Sequence, residues 1–127
     1  MFNIKDDLTI ECTRGDAATF TVGATLEGTP YAFRVGDVVR FTVCTKKNYS
    51  DVVLQKDVTV TEETEAVEIT LEKEDTKIGG AISKATEYWY EVELNPETHP
   101  QTIIGHTDEG AKVFMLYPEG VKGDRNG

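Results

Sequence analysis

The sequence runs to 127 residues, with 13 Lys and Arg against 23 Asp and Glu and a net charge of −10 at neutral pH. That length makes one domain, large enough to bury a core without a disulfide or metal staple. The acidity excludes nucleic acid as an expected partner, because the few basic residues stand singly or as the pair Lys46-Lys47 and phosphate backbones are repelled. No apolar run reaches the ~20 residues of a membrane span, so no membrane partner is expected either. The opening MFNIKDDLTIE lacks a basic stretch followed by an apolar one, and the expectation is synthesis in a bacterial cytoplasm without a secretory signal. Two cysteines with no Cys-x-x-Cys pair give redox or zinc chemistry no starting point, and no cofactor is expected.

Along the chain, period-two alternation dominates and helical periodicity is nearly absent. LTIEC places Leu8, Ile10 and Cys12 on one face. FTVGATL follows with Phe20, Val22, Ala24 and Leu26, and VVRFTV with Val39, Phe41 and Val43. VVLQKDVTV keeps Leu54, Val58 and Val60 in phase while Lys56 interrupts, which suits an edge strand. AVEITLE alternates Val67, Ile69 and Leu71 with Glu68, Thr70 and Glu72. EYWYEVEL sets Tyr88, Tyr90, Val92 and Leu94 against Trp89, Glu91 and Glu93. QTIIGHT and AKVFMLY close the series, joined by the hairpin signal DEG.

Turn clusters punctuate these runs, and one segment, KEDTKIGG, is a candidate helical turn ended by Gly79-Gly80. Seven to eight short strands with turn signals at roughly ten-residue intervals predict an antiparallel β-sandwich over residues 1–118, with a small closed barrel as the alternative. Residues 119–127 are expected to form a flexible tail, since Gly120 and Gly123 start a Gly-x-y period that Asn126 breaks. The predicted core is Ile10, Phe20, Val22, Phe41, Val43, Val58, Val67, Ile69, Leu71, Tyr90, Val92 and Val113.

Two segments echo one another. GDAATFTV begins at Gly15 and GDVVRFTV at Gly36, with Phe20 and Phe41 in the same place of each copy. Each Gly-Asp is predicted to close a turn, Gly15 and Gly36 by tolerating positive φ and Asp16 and Asp37 by bonding back to nearby amides. The first copy carries Arg14-Gly15-Asp16, a tripeptide that signals adhesion when it tips an exposed loop. The second copy has Val35 in place of Arg14, so the corner is read as structural and Arg14 as a surface residue whose loss shifts stability by less than ~0.5 kcal/mol.

In order, IECTRGDAATFTV, VRFTVCTK, VLQKDVTV, LEKEDT, YWYEVEL and GAKVFMLYPEG resemble the immunoglobulin-like domain at the N-terminus of bacteriophage baseplate upper proteins and related prophage tail proteins. In that family an RGD-T corner leads into a strand, a VRFTVK-like segment forms the next, and an EDT step precedes a YxYDIEL-like strand. The match extends from about Leu8 to Pro118; KIGGAISKATE is longer than the family's step, and the long fibre region of a full baseplate protein is not expected here. The resemblance implies immunoglobulin-like topology and a virion structural role in a tail or baseplate, by self-association and contact with other tail proteins. The protein would then reside in the virion after assembly.

Catalysis finds little to work with. His99 and His106 are the two histidines, one in a turn and one at a strand end, without the orienting acid that a nucleophile-base pair needs. Glu62, Glu63, Glu65, Glu72, Glu74, Glu91 and Glu93 fall on turns or outward faces, where solvation keeps a carboxylate ordinary. KEDTK and HTDEG each offer two acids, short of a calcium loop. Cys12 shares phase with Ile10 while Cys44 is out of phase with Phe41 and Val43, so free thiols are expected. Neither enzyme activity nor a metal site is expected.

A final expectation concerns contact. With Tyr88, Tyr90 and Val92 facing the core, Trp89 faces outward; with Val113 and Met115 also inward, Phe114 and Leu116 join Trp89 in an exposed apolar patch. That patch is the predicted interface of a homo-oligomer. The alternative is a cell-surface or carbohydrate-binding module, with Trp89 and the neighbouring tyrosines as its stacking platform.

Overall fold

The alternating runs become strands in the computed structural model, which describes residues 1–107 and 110–119. They are β1 (Phe2–Ile4), β2 (Ile10–Thr13), β3 (Ala18–Val22), β4 (Thr25–Leu26), β5 (Thr29–Pro30), β6 (Val38–Cys44), β7 (Val52–Thr59), β8 (Val67–Leu71), β9 (Thr86–Leu94), β10 (Gln101–Ile104) and β11 (Lys112–Tyr117). No helix occurs among the described residues. The large sheet runs β1-β2-β11-β9-β6-β7, with β10 also paired to β9, and β3 pairs with β8 in a second sheet. One apolar cluster draws on both, with Phe20, Val22, Val67, Ile69 and Leu71 from the small sheet and Ile10, Phe41, Val43, Tyr90 and Val92 from the large one. This all-β arrangement is consistent with a β-sandwich. Phe41 is its hub, with ring centroids of Phe20, Tyr90 and Phe114 at 5.4, 5.6 and 6.3 Å.

Several expectations need correction. The strands exceed seven to eight because short additions, β1, β4, β5 and β10, carry too few residues to show a period. The sheet is not wholly antiparallel: β2 runs parallel to β11, with Phe114 opposite Ile10 and Leu116 opposite Cys12. No tight turn joins these two strands, so no hairpin imposes their direction. QTII and AKVFMLY do not form a hairpin either. Gln101 and Ile104 pair with Leu94 and Val92, whereas Lys112 and Leu116 pair with Tyr90 and Thr86, so β10 and β11 follow the same edge of β9 in succession. KEDTKIGG forms turns instead of a helix, with Glu72 N donating to Asp75 Oδ2 at 2.7 Å and Asp75 N to Glu72 O at 2.9 Å.

The last correction bears on function. Phe114 and Leu116 are fully buried, and Val113 and Met115 are the half-buried residues that alternate with them. The apolar patch proposed for Trp89, Phe114 and Leu116 is therefore absent, and Val113 leaves the core. Both phases of KVFMLY carry apolar residues, so the alternation alone admits either orientation. Lys112 opens β11, and its Nζ donates to Thr107 Oγ1 at 3.4 Å. Val58 is half-buried and packs against the core from β7, the edge strand that its Lys56 announced. Lys56 Nζ reaches Asp75 Oδ2 at 3.0 Å. Of the expected tail, Glu119 is held by Arg14, while residues 120–127 lie outside the described residues.

Candidate functional site

Both Gly-Asp corners are the same turn. Asp16 N donates to Thr13 O at 3.1 Å and Asp37 N to Arg34 O at 2.9 Å, with Gly15 at φ +89° and Gly36 at φ +97° in the third position. A turn whose third residue alone has positive φ is type II, the geometry that selects glycine there. Their anchoring differs. The Gly15 amide donates to Thr76 Oγ1 at 2.9 Å, and the same hydroxyl donates to Asp16 O at 2.9 Å from a fully buried position. Sequence reading missed Thr76, because a lone threonine in a polar turn carries no periodic signal. At the second corner the Val60 backbone takes the place of the Thr76 hydroxyl, accepting from Gly36 N at 2.9 Å and donating to Asp37 O at 2.8 Å. The Asp37 carboxylate accepts from Arg34 N at 2.9 Å, Tyr31 Oη at 3.0 Å and Asn95 Nδ2 at 3.2 Å. Burial pushes the Asp37 carboxyl up, but these donors outweigh it and hold the group below its ordinary value.

Arg14 is not the surface residue that the second copy suggested. Its side chain is 13% exposed, with Nη1 on Glu119 Oε1 at 3.1 Å and Nη2 donating to Gly79 O at 2.9 Å. The tripeptide thus lacks the projecting arginine of an adhesion loop.

The outer face of the large sheet is chemically the richest surface. On β9, the strand between β11 and β6, the residues opposite in phase to buried Tyr90 and Val92 are Glu87, Trp89, Glu91 and Glu93. Trp89 is half-buried between Val113 on β11 and Cys44 on β6, and Lys47 Nζ stands 5.9 Å from its ring centroid. Lys47 comes from the loop after β6, in which Tyr49 and Asp51 hold φ of 61° and 62°. Tyr49 Oη accepts from Lys112 N at 3.4 Å, so the loop lies back over the sheet. Burial, then the Glu93 charge, pushes the Glu91 carboxyl above its ordinary 4.5. A raised acid binds its proton more tightly in the folded chain, so the fold gives up stability as pH rises past that value. Arg40 lies opposite Glu93 but spends its guanidinium on Asp57 at 2.8 Å and Glu97 at 2.9 Å.

Elsewhere the chemistry stays dispersed. His99 lines a cleft of about 200 Å³ with Tyr31, Asn95 and Gln101, while His106 is exposed beyond β10. A wider cleft of about 490 Å³ is lined by Ala81, Ile82, Ser83, Pro118 and Glu119, the last already tied to Arg14. Cys12 and Cys44 are both free and buried. Burial, then Asp16, pushes the Cys12 thiol up to about 11, and burial followed by Glu91 and Asp51 raises Cys44. Such thiols are poor nucleophiles. Among the described residues no three His, Cys, Asp or Glu side chains are grouped to hold a metal ion. Part of HTDEG, residues 108 and 109, lies outside the described residues. No family model, no curated protein and no solved structure matches the chain.

Proposed function

We propose that the chain is a structural protein of a bacteriophage or prophage particle, a tail or baseplate component that works by contact with other proteins, and that its sandwich has immunoglobulin-like topology. The observation that carries this reading is where the resembling segments fall. The RGD corner leads into β3, VRFTV lies in β6, LQKDVT in β7, the EDT step follows β8, and YWYEVEL lies in β9. Immunoglobulin sandwiches place their second and fifth strands in one sheet and their third, sixth and seventh in the other. The pairing of β3 with β8, against β6, β9 and β11 in the large sheet, supports that assignment.

The partners are other proteins of the particle. Phe114 and Leu116 are buried and unavailable to an interface, and a net charge of −10 opposes stacking like faces of this chain. The test is direct. Particles purified by density gradient from a strain carrying the gene, then digested for mass spectrometry, are expected to contain this chain in constant ratio to the major tail protein. Its confinement to the soluble lysate would contradict the reading.

A further inference from the structure

The outer face of β9 presents three glutamates and the chain's one tryptophan in alternation, Glu87, Trp89, Glu91 and Glu93. Among the described residues none of the three carboxylates has a hydrogen-bond or ion-pair partner, and the basic residue in register with Glu93, Arg40, is committed to Asp57 and Glu97. Unpaired carboxylates flank a ring whose face already carries a cation, the Lys47 ammonium. Glu91 is half-buried, and burial followed by the Glu93 charge raises its carboxyl, a cost that a glutamine in the strand would not carry. A group that weakens its own fold in this way is characteristic of a surface kept for binding.

We propose that this face docks an extended lysine- or arginine-rich segment of another protein, with one cationic head group taking the place of Lys47 over Trp89 and its neighbours meeting Glu87, Glu91 and Glu93. Side chains on one face of an extended chain recur every ~6.8 Å, the spacing at which the β9 residues themselves stand. Charge selects the occupant. A second copy of this chain brings the same carboxylates and is repelled, whereas a basic segment gains ion pairs on a partly desolvated face and a cation–π contact at its centre. The loop that carries Lys47 lies over the face, with Tyr49 and Asp51 in the left-handed region. This partner class rests on the reading of a protein that works by contact.

Trp89 is the chain's one tryptophan, so its emission reports on the face alone. Octalysine titrated into the full chain at low ionic strength is expected to shift that emission saturably. Glu87→Gln with Glu91→Gln is expected to weaken binding about tenfold, or about 1.4 kcal/mol. Glu62→Gln with Glu65→Gln removes the same charge from a turn and is expected to leave binding unchanged. Lys47→Ala is expected to tighten it by vacating the ring. Glu93→Gln alone provides a milder variant if the double substitution disturbs the fold by circular dichroism, and it is expected to weaken binding too. No saturable shift overturns the proposal, and so do equal losses in the two double variants, weaker binding by Lys47→Ala, or binding indifferent to Glu93→Gln. Absence of the chain from purified particles would remove the virion reading while leaving this titration intact.

Discussion

The corners at Gly15 and Gly36 share a Gly-Asp pair, a turn type and a hydrogen-bond pattern, yet one is held by a side-chain hydroxyl and the other by backbone. The first is anchored from outside, by the Thr76 hydroxyl against its backbone and by Arg14 reaching Gly79 and Glu119. The second is anchored at the same two atoms by backbone, with Gly36 N donating to Val60 O at 2.9 Å and Val60 N to Asp37 O at 2.8 Å, and the Asp37 carboxylate adds Arg34, Tyr31 and Asn95. A local motif therefore dictates the turn, while the residues that come to rest beside it decide what holds the turn in place.

The sharpest way to break this contrast is Thr76→Val, which keeps the shape and removes the hydroxyl. A buried donor and acceptor lose their partner, so a loss of about 2 kcal/mol is expected by urea unfolding, with the second corner unaffected. Gly15→Ala and Gly36→Ala are next. Both impose positive φ on an alanine, at about 1 kcal/mol each. At Gly15 the added methyl also meets Glu119 Oε2 at 3.0 Å, whereas at Gly36 it meets nothing within 4 Å, so Gly15→Ala is expected to cost more. Equal losses would show that the first corner is as open as the second.

Asp37→Asn separates the corners by pH. The folded chain holds Asp37 below its ordinary 3.8, so its carboxylate contributes stability above that value and loses it as pH falls through the depressed one. The gap between wild type and Asp37→Asn is expected to be widest near neutrality and to close below pH 3.8 in thermal melts. The pair Arg14→Ala and Val35→Ala tests the residue before each glycine. Val35 is 70% exposed and its loss is expected to stay within ~0.5 kcal/mol, while Arg14 is expected to cost about 1–2 kcal/mol through its charge-assisted bonds.

The fold was legible where alternation pairs an apolar residue with a polar one. VEITL and YWYEVEL announce their inner faces, and Val67, Ile69, Leu71, Tyr90 and Val92 are buried as their spacing requires. KVFMLY is apolar in both phases, so its spacing could not say which of Val113 or Phe114 turns inward; the pairing of Phe114 with Tyr88 and Ile10 decides it. The same limit applied to the surface. The outward position of Trp89 followed from its strand, but Lys47 above it depends on a loop whose path no periodicity encodes.

The orientation of β11 determines both the core and the face around Trp89, and thiol labelling reads it directly. The native Cys12 and Cys44 are buried and provide a silent background. In the folded protein Val113→Cys is expected to react with an aromatic disulfide reagent, while Leu116→Cys stays protected until denaturant is added. Rapid labelling of Leu116→Cys beside a protected Val113→Cys, with both variants folded by circular dichroism, would contradict the account.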